Sequence, residues 1–103
     1  MATWRADNLA TFIAANPASV VREHFLKIAQ IEQVYLSNDG DRGLVALIVV
    51  DTKDYTLLRN IFELEAKIIE ALPGTPINFD VVIREGRPLG NVINPRGRML
   101  FQR

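Results

Sequence analysis

The chain has 103 residues, is 49% hydrophobic, contains no cysteine and carries a formal net charge of zero. That length fits one domain with a real core. The lack of thiols excludes disulfides, thiolate metal sites and cysteine nucleophiles, and the neutral balance argues against strong nonspecific binding to nucleic acid, which draws on many phosphate contacts.

In chain order, Asp7 is placed to cap a short helix over residues 8–15, with Leu9, Phe12 and Ile13 as its apolar stripe. Asn16-Pro17 then breaks and restarts the chain, since Asn is a good N-cap and Pro is tolerated at the first helical position. A second helix is expected over 17–29, with Val21, Phe25, Ile28 and Ala29 facing the core. Residues 34–36 read as a first strand. Asn38-Asp39-Gly40-Asp41-Arg42-Gly43 is a dense turn signal, and it leads into the apolar run Leu44–Val50. Two strands joined by a short glycine-bearing turn predict a β-hairpin. The second strand lacks polar alternation, which places it centrally in the sheet with helices on at least one side.

Thr52 or Asp54 can cap a long helix over 55–72, whose Leu57, Leu58, Ile61, Leu64, Ile68 and Leu72 recur three and four apart. Pro73-Gly74 ends it. Residues 77–83 predict a third strand. Residues 86–98 are rich in Gly, Pro, Asn and Arg and read as loop, with 99–101 as a short edge strand or packed tail. The expected fold is therefore α/β (α+β). A small mixed sheet of three or four strands is built from a hairpin, a long crossover helix and a third strand, with helices mainly on one face. One domain spans 1–103, comprising an N-terminal helical extension (1–16), a core (17–85) and an Arg/Gly-rich loop with a C-terminal strand or tail (86–103).

Candidate chemistry is sparse. His24 is the only histidine and lies within a helical pattern, where it reads as a packing or surface residue. Ser19 and Ser37 are the only serines, and neither sits on a sharp nucleophile turn. Asp39, Asp41 and Asp51 gather around the hairpin, but turns and helix starts call for such residues anyway. No phosphate-cradling glycine motif is present.

Charge, however, is unevenly spread. Residues 1–83 hold seven Lys/Arg against eleven Asp/Glu, whereas 84–103 hold five arginines against Glu85 alone. Within that basic segment Arg87, Arg96 and Arg98 are candidates to grip phosphate or carboxylate groups with their planar guanidinium forks. The alternative is that they solubilise a loop and pair with Glu63, Glu65 and Glu70 of the long helix. Only Phe101 interleaves with them, so a base-stacking platform has little support.

The order of elements resembles the minimal nucleotidyltransferase-like domains of antitoxin-type proteins. Residues 31–36 resemble the first-strand entry, Leu44–Val50 with Asp51-Thr52-Lys53-Asp54-Tyr55 the second strand and its exit, 55–72 the helix, 77–82 the third strand and 97–103 the closing strand. The resemblance implies a scaffold in which a Gly-Ser turn ends the first strand, two metal-binding aspartates one residue apart stand on the second and another aspartate on the third, and the metal ions carry nucleotidyl transfer. Here Ser37-Asn38 stands in place of the turn, and Leu44 and Ala46 in place of the pair; only Asp80 matches a family carboxylate.

The expectation is thus a degenerate member, a non-catalytic binding or regulatory domain without cofactor or bound metal. It would act through a protein partner or as a homo-oligomer, the hydrophobic fraction being large enough to spare an apolar patch. Two alternatives stay open: an enzyme using rearranged carboxylates Asp39, Asp51 and Asp80, and a phosphate or nucleic-acid binder using the C-terminal arginines. No apolar run approaches the ~18–20 residues that cross a bilayer, and the first seven residues carry no leader pattern, so no membrane contact and a cytoplasmic location are expected.

Overall fold

The computed structural model describes residues 16–91 and 97–103. The helix expected over 8–15 lies outside the described residues. Helix α1 (Pro17–Phe25) starts where Asn16 Oδ1 accepts hydrogen bonds from the backbone N–H groups of Ala18 and Ser19, with Pro17 in the first turn. It stops four residues before the expected end. No Gly or Pro forces that stop. Instead Arg103, at the far end of the chain, donates through Nη2 to the carbonyls of Leu26 (2.7 Å) and Ile28 (3.2 Å), and through Nε to that of Ile31 (2.8 Å). Carbonyls that a further helical turn would have satisfied are satisfied from elsewhere.

Strand β1 (Ile31–Asn38) is longer than the expected 34–36. Glu32 and Gln33 conceal its start, because the register slips between Ile31 and Gln33 and breaks the two-residue alternation. The turn Gly40–Arg42 closes the hairpin with Gly40 and Gly43 at positive φ, and the Asp39 N–H donates to the Gly43 carbonyl at 2.8 Å. Strand β2 (Leu44–Val50) pairs antiparallel with β1, from Ile31 opposite Val50 to Asn38 opposite Leu44. Helix α2 (Tyr55–Ala71) is capped by Asp54, whose Oδ1 accepts from the N–H groups of Thr56 and Leu57. It crosses to β3 (Ile77–Ile83), which runs parallel to β2. The chain closes with β4 (Arg98–Gln102), antiparallel to β1.

The described residues form a four-stranded mixed sheet in the order β3-β2-β1-β4, the α/β class expected. β2 is central, as its unbroken apolar run requires. Its alternate residues Ala46, Ile48 and Val50 join Val21 and Phe25 of α1 and Leu57, Ile61 and Ile68 of α2 in one core, so both helices pack on the same face. Phe25 meets Phe79 edge to face, with ring centroids 6.1 Å apart. Val45, Leu47 and Val49 point to the other face and are also buried.

Gly97 fixes the approach of β4 to β1. It lies at φ 88°, and a Cβ there would collide with the Leu36 carbonyl and come within 2.6 Å of Ser37 Cβ. Only a residue without a side chain fits between the edge strand and its neighbour.

Candidate functional site

The three aspartates of the metal alternative do not converge. Asp39 and Asp80 flank one cation, Arg42: its Nη2 lies 3.4 Å from Asp80 Oδ1 and its Nη1 3.9 Å from Asp39 Oδ2. A guanidinium already occupies the place a divalent ion would need. Asp80 is in register with Leu47, and Asp51 follows the end of that strand, four residues and therefore about 13 Å further along. Asp51 Oδ1 instead accepts the Gly86 N–H at 2.7 Å and lies 3.4 Å from Arg84 Nη2. Among the described residues, no group of three or more His, Asp or Glu could hold a metal ion.

The faces of the sheet bear on the family positions as well. Ala46 is fully buried on the helix-covered face, whereas Asp80 sits on the opposite face beside Leu47. Acids at 44 and 46 would share a face with each other but not with Asp80. The β2 residues that do share Asp80's face nearby are Val45 and Leu47, and neither can ligate a cation.

The candidate arginines are dispersed. Arg87 closes the turn after β3: its N–H and Nε both donate to the Arg84 carbonyl, at 3.1 and 2.9 Å. Arg98 starts β4 in register with Leu36, five residues from the Ile31 end of the sheet that Arg84 and Arg87 adjoin, hence about 17 Å away along the strands. Arg96 lies outside the described residues. Arg87 spends its donors on its own turn rather than on Glu63, Glu65 or Glu70.

The arginine that organises this end is Arg84. Its Nε and Nη2 grip both oxygens of Glu32 at 2.8 and 3.0 Å, and Nη1 donates to the Arg87 carbonyl at 2.8 Å. The hydrogen-bonded Glu32 carboxylate, aided by the charges of Glu32 and Asp51, raises the Arg84 pKa further above its ordinary high value despite the opposing effect of burial. A cleft of about 380 Å³ opens beside it, lined by Ala29, Gln30, Glu32, Asp51, Thr52, Asp54 and Leu57. Carboxyl ends of strands are where open α/β sheets commonly bind ligands. Here, though, the acids of the cleft are already engaged within the fold, Glu32 and Asp51 in holding the loop after β3 and Asp54 in capping α2. His24 directs Nδ1 to its own helix, 2.7 Å from the Val20 carbonyl.

The feature that the core periodicity hid is on α2. Besides its core stripe, the helix carries Tyr55, Phe62 and Ile69 in the open, at 76%, 55% and 53% exposure. They are seven residues apart, so they form a nearly straight line drifting only about 20° per step. Lys53 extends its Nζ over the Tyr55 ring, 5.9 Å from the centroid, at the head of this line. Glu65, on the border between the two stripes, has its pKa raised above the usual carboxylate range by burial. The signal was present in the sequence as a second seven-residue period, overshadowed by the stronger core pattern.

Comparison with protein-family models, with curated proteins and with solved structures gave no match.

Proposed function

We propose that this chain is a non-catalytic binding domain that works through protein contacts, on a scaffold related to the minimal nucleotidyltransferases but stripped of their metal site. The observation that carries the reading is the line of exposed Tyr55, Phe62 and Ile69 on a helix otherwise committed to the core. Aromatic and aliphatic side chains aligned at a surface are what a buried interface centre is made of. Support for the inert scaffold comes from Asp80, which has aliphatic Val45 and Leu47 for neighbours on β2 and Arg42 for a partner. The enzyme alternative asks for carboxylates that the sheet keeps apart, and the phosphate-binding alternative asks for Arg87 and Arg98 to cooperate from opposite ends of it.

The test is a photo-crosslinking residue (p-benzoylphenylalanine) in place of Phe62, activated in cells that express the full chain. Covalent adducts to a protein are expected. A chain that forms none, or that crosslinks only to its own residues 1–15, overturns the reading. Nucleotide-dependent label transfer by the purified chain with Mg²⁺ overturns the non-catalytic half of it.

A further inference from the structure

Resting on that reading, we infer that the protein contact is with a second copy of this chain: α2 packs antiparallel against α2 of its partner, with Phe62 at the two-fold axis. The helix has 17 residues, about 25 Å of axis, and Phe62 lies close to its midpoint. A two-fold axis through Phe62 sets each residue opposite the one equally far on the other side of it. Phe62 then faces the partner's Phe62, and Tyr55 faces the partner's Ile69. The exposed line is thus self-complementary end to end, as an isologous interface requires. Seven-residue spacing is the period that keeps two helices in contact along a seam.

The charges favour the antiparallel sense. Arg59 is the cation of the amino half of the helix, while Glu63, Glu65 and Glu70 outnumber Lys67 from the midpoint onward. The last turn contains no basic residue, so Glu70 sits against the negative end of the helix dipole. An antiparallel partner reverses that disadvantage. By helical geometry Arg59 comes within about 3 Å, along the axis, of the partner's Glu63. That pair lies on the solvent side of the seam, where facing charges set orientation. A parallel pair would put acid-rich carboxyl halves side by side. Among the described residues, Arg59, Glu63 and Glu70 make no ion pair within one chain. The contact, on the order of 1,000 Å² in total, is at the small end for a specific interface, which implies a reversible dimer.

Sedimentation equilibrium of the full chain at increasing concentration, with circular dichroism to verify that each variant folds, decides the matter. Wild-type protein is expected to dimerise reversibly. Phe62→Glu should raise the dissociation constant about 100-fold or more, by burying two like charges at the axis. Arg59→Glu and Glu63→Arg should each weaken the dimer about tenfold, whereas the double exchange should restore it to within about threefold. A monomer at every concentration overturns the inference, as does a dimer indifferent to Phe62→Glu. Failure of the double exchange to rescue overturns the antiparallel register. A monomeric chain whose residue 62 crosslinks to a different protein in cells sinks the homodimer and leaves the protein-contact reading standing; a monomeric chain with no such adduct sinks both.

Discussion

The two apolar flanks of α2 have opposite fates. Leu57, Ile61 and Ile68 on one flank are buried against the sheet and α1; Tyr55, Phe62 and Ile69 on the other remain open. Both flanks share one cap, Asp54, and one helix, so local backbone conformation does not separate them. What separates them is whether this chain supplies a partner surface. The described residues supply one for the first flank. An apolar flank without a partner gains nothing from hydrophobic burial in the monomer and gains it only on association. The helix therefore divides into a flank that makes the fold and a flank that the described fold leaves exposed.

The sharpest way to break this division is to truncate one residue on each side. Ile61 is fully buried, and Ile61→Ala is expected to lower stability by about 3 kcal/mol, as large-to-small changes in packed cores do. Denaturant unfolding of dilute protein reads the effect. Phe62→Ala, one position along and more voluminous in what it removes, should change the stability of the dilute monomer by ~0.5 kcal/mol or less. Equal losses at both positions would mean that Phe62 already has a partner within the chain, and the division would be wrong.

The core flank was legible in the sequence because spacing of three and four, bounded by Asp54 and Pro73-Gly74, has one reading. β2 was legible for the same reason: seven apolar residues after a glycine-bearing turn fit only a strand covered on both faces. Features that depend on distant residues were not. The end of α1 is decided by Arg103, which lies 77 residues beyond Leu26, and the start of β1 is masked by Glu32, which is polar because Arg84 grips it from 52 residues away. Nothing in a local window announces either pairing. The spread of the arginine segment was hidden for the converse reason: Arg87 and Arg98 are close in sequence, but the connection from β3 to β4 joins opposite edges of the sheet and carries them to opposite ends. Proximity along a chain is evidence of proximity in space only within one element.

Glu65 offers the finest probe, since it stands on the border between the flanks. Burial disfavours its charged form, so the folded chain holds the Glu65 proton more tightly than the unfolded chain, whose value is near the ordinary 4.5. Between that pH and the raised folded value the native state binds more protons than the unfolded state, and stability falls as pH rises. The contribution is intact below the ordinary value and is lost once pH has passed the folded one. Glu65→Gln removes the ionisation while keeping the shape. In dilute protein the variant should therefore match wild type near pH 3 and melt slightly higher at pH 7, by about 1 °C. Thermal melts at the two pH values read the difference. A variant less stable than wild type at pH 7 would mean that the Glu65 carboxylate has a cationic partner inside the monomer, and would move this residue from the border to the ion-paired surface.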